Sequence, residues 1–135
     1  MKDKLLSKQG WVILLICIIS FFINNRVVVP DIMEARNMVT AREMVHDGNW
    51  LVPTMNGDLR LEKPPLPTWL TAVAEMISPD NLALQRAMAG FAAILLVAFF
   101  YLTAVQVMRN KRYAFISTIL LCTCYNIILM GRTAS

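Results

Sequence analysis

Histidine, cysteine and glycine are scarce in this sequence. Its 135 residues include one histidine, three cysteines and five glycines. The cysteines, Cys17, Cys122 and Cys124, lie within apolar runs, and a Cys-x-Cys pair on a helix points its two thiols to different sides. With His46 as the single histidine, the pattern indicates neither a cysteine-based metal centre nor a disulfide. We interpret the three cysteines as small apolar packing residues.

Charge is nearly missing from three long segments. Apolar residues make up 57% of the chain, and they are concentrated in segments 5–24, 88–108 and 113–130. Each segment can cross roughly 30 Å of hydrocarbon as a helix. The sequence therefore predicts an all-α integral membrane fold with three transmembrane helices.

The first segment has an alternative interpretation as a signal peptide. Lys2, Lys4 and Lys8 precede its apolar core, as in such a peptide. However, the residues that follow, FFINN at 21–25, contain no small-x-small cleavage site. An uncleaved membrane anchor is therefore the favoured interpretation.

Basic residues are divided unevenly between the connecting segments. Lysines precede the first segment, and the turn RNKR at 109–112 contains no acidic residue. The loop 25–86 instead has six basic residues against eight acidic ones. The positive-inside rule then places the N-terminus in the cytoplasm and loop 25–86 outside it, in a multi-pass protein of the inner (plasma) membrane. The net charge of +4 reflects this topology, and the absence of a basic stripe argues against nucleic-acid binding.

Loop 25–86 has helical periodicity in two places. Apolar residues recur at helical spacing from Met33 to His46, with Gly48 as a stop signal, and again from Thr68 to Ile77. We expect two amphipathic helices lying on the membrane surface. Between them, the dipeptide Asn-Gly at 56–57 predicts a turn, and prolines at 53, 64, 65 and 67 exclude a continuous helix.

Charged residues are dense in the same loop. Arg36 and Lys63 are the strongest candidates for binding a phosphate or pyrophosphate, because a guanidinium fork and an ammonium charge suit such a group. The prolines after Lys63 would stiffen the backbone that holds it. The alternative is that these side chains are solvated, or form surface ion pairs that contribute about 0–1 kcal/mol.

Other charged residues of the loop allow more than one interpretation. Glu62 is a tentative carboxylate ligand for a divalent metal ion. Asp31 could cap the first surface helix or take part in chemistry. Arg42 and Glu43 are expected to be structural, each paired with a neighbour three or four residues away on its helix.

The segment MEARNMVTAREMVHDGNWLVPTMNGDLRLEKPPLPTWL, from Met33 to Leu70, resembles the first outer loop of GT-C type membrane glycosyltransferases. The similarity is greatest to the dolichyl-phosphate-mannose protein mannosyltransferase-like group, glycosyltransferase family 39, which includes the lipid A aminoarabinose transferases. The resemblance implies transfer of a sugar from a polyprenyl-phosphate donor to a lipid, glycan or protein acceptor on the outer face of the membrane. It also implies that residues 1–135 are the N-terminal part of a larger GT-C domain, and that this part alone is inactive.

The resemblance also assigns roles to individual residues. Arg36 in EAR and Lys63 in EKPP match basic residues that hold the donor phosphate. Glu62 matches a carboxylate that lies at a metal in some members, and Glu34 matches the second residue of the family's Asp-Glu pair. The aspartate of that pair is replaced here by Met33, which puts the proton-transfer step in doubt.

Three hypotheses follow from this replacement. Asp31 takes the role of the missing aspartate, Glu34 does, or the acceptor needs little help from a base. A hydroxyl acceptor must lose a proton as it attacks, whereas a phosphate acceptor is already negatively charged. Asp31 and Glu34 are therefore the candidate catalytic residues, with Asp31 slightly favoured.

Two other classes of function compete with the enzyme. A small non-catalytic membrane subunit, or a lipid-binding assembly protein, would place its outer helices on the bilayer without phosphate chemistry. A transporter fragment is less consistent with the sequence, because transporters place charges within their spans.

Overall fold

The computed structural model describes residues 8–25, 27, 29–62 and 64–134. The predicted phosphate-binding Lys63, and Lys2 and Lys4 of the topology prediction, lie outside the described residues. Within these ranges the chain forms six helices and one two-stranded antiparallel hairpin, in the order α1 Lys8–Phe22, α2 Ile32–Asp47, β1 Thr54–Met55, β2 Asp58–Leu59, α3 Pro65–Ile77, α4 Leu82–Met108, α5 Lys111–Cys122 and α6 Tyr125–Arg132.

The elements form two layers. Helices α1, α4, α5 and α6 pack against one another around a core of Ile13, Cys17, Phe21, Val97 and Cys122. Helices α2 and α3 and the hairpin form a second layer, in which Ala41, Met44 and Ala72 are buried. Contacts between α3 and α4 connect the layers. The expectation that the cysteines are packing residues agrees with Cys17 and Cys122, which are buried and unoxidised, whereas Cys124 is exposed.

Helix α4 fits the predicted second membrane span. It is 27 residues long, and of the described helices it alone is both long and apolar enough to cross a bilayer unaided. Many of its large side chains face outward, including Leu95 and Phe99, each 72% exposed. Helix α1 is apolar but has 15 residues among those described.

The predicted third span, 113–130, is not one straight helix. Helices α5 and α6 meet at an angle of 60°, as in a broken span or a re-entrant segment. Helix α5 ends at Thr123, whose hydroxyl donates to the carbonyls of Ile119 and Leu120, and Cys124 has extended backbone angles. No proline or glycine lies at the break, so no residue there predicts it. The hydropathy of the segment does not reveal it either.

The local signals of loop 25–86 are largely confirmed. Helix α2 ends at Gly48, whose φ of 71° is left-handed. The Asn-Gly turn closes the hairpin, with φ values of 56° at Asn56 and 83° at Gly57 that suit a tight two-residue connection. The second surface helix begins earlier than predicted, because Pro65 and Pro67 lie in its first turn, where a backbone N–H donor is not needed.

Helix α3 packs against α2 with small and polar residues. Its small and polar residues, including Thr71, Ala72 and Glu75, are buried, whereas Met76 and Ile77 are 61% and 66% exposed. Close packing of α2 on α3 favours small side chains at the contact. The apolar residues Val73, Met76 and Ile77, which belong to the predicted apolar face, are left exposed.

Glycine permits a close approach between α6 and α1. A Cβ atom added at Gly131 would lie 2.7 Å from Cδ1 of Phe21 and 3.0 Å from Cβ of Ala93. Phe21 is fully buried, so its ring has little room to move away.

We predict that Gly131→Ala destabilises the fold by roughly 1–3 kcal/mol, the usual cost of overpacking. The gain of about 1 kcal/mol in helix propensity offsets only part of this. Thermal unfolding of the whole protein in detergent measures the effect. Gly90→Ala is the matched control, since its Cβ would lie 3.1 Å from the half-buried Phe22 ring. Equal melting temperatures for the two variants would contradict the proposed close contact.

Candidate functional site

Two of the predicted site residues are exposed at the start of α2. Asp31 caps the helix, accepting a hydrogen bond of 2.8 Å from the backbone N–H of Ile32. Arg36 lies one turn further on, and within the described residues its guanidinium forms no hydrogen bond or ion pair. Capping and chemistry are compatible here, because an exposed N-cap carboxylate remains accessible to a ligand.

Glu34 has a different environment from its neighbours. It is 1% exposed and forms a bidentate ion pair with Arg86, in which Nε and Nη2 donate to the two carboxylate oxygens at 2.8 Å each. The backbone N–H of Ala134 also donates to Glu34, at 3.0 Å. Arg86 donates further to the carbonyl of Asn25. The carboxylate therefore joins α2 to the start of α4 and to the segment after α6.

A second buried polar contact lies one turn along α2. The amide nitrogen of Asn37 donates to Oγ1 of Thr71 at 3.1 Å and to the carbonyl of Ala134 at 2.7 Å. Its amide oxygen accepts from the hydroxyl of Thr68 at 2.7 Å. All four residues are buried, so these hydrogen bonds fix α2, α3 and residue 134 relative to one another.

Arg60 extends from the hairpin to the same helix. Its Nη1 donates to the carbonyl of Arg36 and to the hydroxyl of Thr40, at 2.7 Å each. Arg60 is only 8% exposed, and its Nη2 is buried without a hydrogen-bond partner. The prediction for this loop did not single out Arg60.

Arg42 and Glu43 are structural, as expected, but their partners are on other elements. Arg42 pairs with Asp80 and, at 3.6 Å, with Glu75. Glu43 accepts from the Thr54 hydroxyl at 2.8 Å and from the backbone N–H groups of the Asn-Gly turn. The expectation of pairing within one helix was wrong, because the hairpin and the α3–α4 turn lie within reach of α2.

The metal hypothesis rests on Glu62 alone. Glu62 is exposed, and in the described ranges no three histidine, cysteine or acidic side chains cluster as metal ligands would. A metal site that includes Glu62 stays a prediction.

An apolar groove lies beside the buried polar contacts. It has a volume of about 380 Å³ and is bounded by α3, α4 and α6. Its walls include Leu70, Leu96 and Met130, and one end is formed by Thr71 and Ala134. The groove is mostly apolar, as a surface for a hydrocarbon chain would be.

Sequence reasoning missed the importance of Arg86 and Asn37. Arg86 could have been found, since a charged residue in the first turns of an apolar helix requires a buried partner. Asn37 gave no such signal, because asparagine is common on exposed helix faces.

Taken together, the fold is that of a helical protein with a membrane-type apolar helix and a polar layer at one end of it. Comparison with known proteins narrows the class of protein further. The chain is 34% identical over 92 residues to a protein of Pseudomonas savastanoi pv. phaseolicola, covering 68% of this chain and 17% of that protein. It is 35% identical over 88 residues to a protein of Shewanella sediminis, covering 65% and 16%.

Both of these relatives are named undecaprenyl phosphate-alpha-4-amino-4-deoxy-L-arabinose arabinosyl transferase. An uncharacterized protein of Aquifex aeolicus is 27% identical over 133 residues, which is 96% of this chain and 26% of that protein. The chain thus spans less than a fifth of each named transferase.

The similarity to named transferases supports the predicted resemblance at the level of membrane glycosyltransferases. No protein-family model matches the chain, so the narrower assignment to glycosyltransferase family 39 stays a prediction. No solved structure matches it.

We predict that Glu34→Gln destabilises the whole protein by about 3–5 kcal/mol, because it leaves the buried Arg86 without a counter-charge. The double variant Glu34→Leu/Arg86→Met should lose less stability than the sum of the losses in the single variants Glu34→Leu and Arg86→Met. Denaturant or thermal unfolding checks both statements. Arg42→Gln serves as the control, since Arg42 and its partner Asp80 are both largely exposed and such pairs contribute little. A cost for Glu34→Gln no larger than the control's would refute the structural role of the pair.

We also predict that the stability of the hairpin depends on pH. The Thr54 hydroxyl, followed by the backbone N–H groups of Asn56 and Gly57, holds the pKa of Glu43 below its ordinary value of 4.5. A lowered pKa stabilises the folded state fully above pH 4.5, and this contribution is lost as the pH falls through the lower, folded-state value. Amide hydrogen exchange at Asn56 should therefore accelerate below pH 4.5, beyond the intrinsic pH dependence. Glu43→Gln should remove the effect, and an unchanged profile in that variant would exclude Glu43 as its source.

Proposed function

We propose that the whole protein containing this chain transfers a sugar from a polyprenyl-phosphate donor to an acceptor at the outer face of the membrane. The observation that carries the proposal is the similarity to transferases whose name includes undecaprenyl phosphate and an aminoarabinose. Exposed Arg36 and Asp31 at one end of α2 support it, because they provide a cation and a carboxylate close together in the sequence.

In this proposal Arg36 and Lys63 bind the donor phosphate. The acceptor oxygen attacks the anomeric carbon, and the bond from that carbon to the phosphate oxygen breaks. Polyprenyl phosphate leaves with the electron pair. The two cations offset the negative charge that develops on its oxygens, which is where such groups contribute most to rate.

The acceptor's proton goes to Asp31 when the acceptor is a hydroxyl. Of the two candidate bases, Asp31 is the exposed one, whereas Glu34 is enclosed in its ion pair with Arg86. Both oxygens of the Glu34 carboxylate already accept hydrogen bonds, from Arg86 and from the backbone N–H of Ala134, and the side chain is not open to an acceptor. Glu34 is therefore assigned to positioning α2, and Glu62 to an optional divalent metal ion.

The membrane arrangement belongs to the same proposal. Helix α1, helix α4 and the bent pair α5–α6 would be the three spans, with α2, the hairpin and α3 on the extracytoplasmic side. The exposed apolar residues Val73, Met76 and Ile77 of α3 would rest on the bilayer. This face also favours the second candidate, a non-catalytic lipid-binding subunit.

We expect Arg36→Gln to lower the rate of sugar transfer by roughly 10²-fold, as for the loss of one donor to a developing negative charge. Asp31→Asn should also abolish transfer to a hydroxyl acceptor while preserving α2, because asparagine caps helices as well as aspartate. The assay follows release of undecaprenyl phosphate from an undecaprenyl-phosphate-linked aminoarabinose, with lipid A as acceptor.

Arg42→Gln is the matched control, because it removes one positive charge from the same helix at a distance from the proposed site. Near-normal turnover in Arg36→Gln would remove Arg36 from the mechanism. A wild-type protein that binds undecaprenyl phosphate without turning over any donor would favour the lipid-binding subunit.

A further inference from the structure

Arg60 is a buried cation without an acidic partner. Its exposed fraction is 8%, so it is 92% buried. Among the described residues no carboxylate lies within ion-pair distance of it. Its Nη1 donates to two neutral oxygens, the Arg36 carbonyl and the Thr40 hydroxyl. Its Nη2 has no hydrogen-bond partner among the described residues.

This environment contrasts with that of the other buried arginine. Arg86 is buried to a similar degree but is neutralised by the two carboxylate oxygens of Glu34 at 2.8 Å. Burying a charge that is neither paired nor fully hydrogen-bonded is strongly unfavourable. Native proteins rarely leave such a donor unsatisfied without a ligand, ion or water to accept from it.

The position of Arg60 indicates which ligand would accept from it. Its Nη1 is 2.7 Å from the backbone carbonyl of Arg36, so Arg60 lies against the turn of α2 that carries the Arg36 side chain. Arg36 is exposed and Arg60 lies beneath the surface. Two arginines at one turn of a helix, with no carboxylate paired to either among the described residues, suit a doubly charged or strongly accepting anion.

We propose that Arg60 is a further binding residue for the phosphate group of the donor, acting beside Arg36. This inference rests on the proposed function and adds a residue to its phosphate site. Because Nη2 is enclosed, the phosphate reaches it after a small rearrangement of the side chains around Arg60. The two hydrogen bonds of Nη1 hold the guanidinium near α2 during that change. The unsatisfied donor then receives a phosphate oxygen as acceptor.

The test measures binding of undecaprenyl phosphate, undecaprenol and inorganic phosphate to the whole protein in detergent, by ligand-dependent shifts in melting temperature. We expect Arg60→Gln to weaken undecaprenyl phosphate binding roughly 10- to 100-fold, which is typical for loss of a charged hydrogen bond. Undecaprenol binding should not change. Arg60→Lys keeps the charge without the planar fork, and we expect an intermediate loss. Arg42→Gln is the charge-matched control and should bind like the wild type.

The inorganic phosphate measurement separates the two sources of the ligand. Arg60-dependent binding that requires the prenyl chain assigns the site to a lipid phosphate, and equal dependence with inorganic phosphate assigns it to the phosphate group alone. Both results support the inference.

Two results overturn different parts of it. If Arg36→Gln loses undecaprenyl phosphate binding and Arg60→Gln and Arg60→Lys retain it, Arg60 is structural and this inference fails alone. If the wild-type protein binds undecaprenyl phosphate no better than undecaprenol, both this inference and the proposed function fail. Should Arg60→Gln not fold, Arg60→Lys decides, and unchanged affinity in that variant refutes the assignment.

Discussion

The buried ion pair between Glu34 and Arg86 is the constraint on which the rest of this structure depends. Both side chains are 1% exposed, and two N–H donors meet two carboxylate oxygens in parallel. Arg86 belongs to the apolar α4, whereas Glu34 belongs to the polar α2, so the pair holds the two layers together. Neither charge could be buried there without the other. The backbone N–H of Ala134 adds the end of the broken α5–α6 segment to the same point.

This pair also determines which residues of α2 face outward. Successive residues of an α-helix are about 100° apart, so Asn37 and Ala41 share the buried side with Glu34, and Arg36 points roughly to the opposite side. The hydrogen bonds of Asn37 to α3 and to residue 134 maintain that orientation. An exposed arginine next to a capped helix start is therefore a consequence of where Glu34 is held.

The same geometry distinguishes between the two carboxylates that the proposed sugar transfer could use. Sequence similarity alone leaves both Asp31 and Glu34 as candidates for the role of the aspartate that Met33 replaces. Their surroundings separate them, because one carboxylate is open to solvent and the other is neutralised by Arg86. A helix that is rigidly held by its inner face can present reactive groups on its outer face, as preorganised sites require.

Several elements of the fold can be predicted from local signals in the amino-acid sequence. The span of α4 follows from an uninterrupted apolar run, the end of α2 from Gly48, and the hairpin turn from the Asn-Gly dipeptide. Three other features depend on how the helices pack. They are the pairing of Glu34 with Arg86, 52 residues apart in sequence, the break between α5 and α6, and the unsatisfied guanidinium of Arg60. Periodicity and hydropathy report how a residue relates to its neighbours in the chain. They cannot report which distant side chain will supply a counter-charge or fill a space, because that depends on how the helices pack.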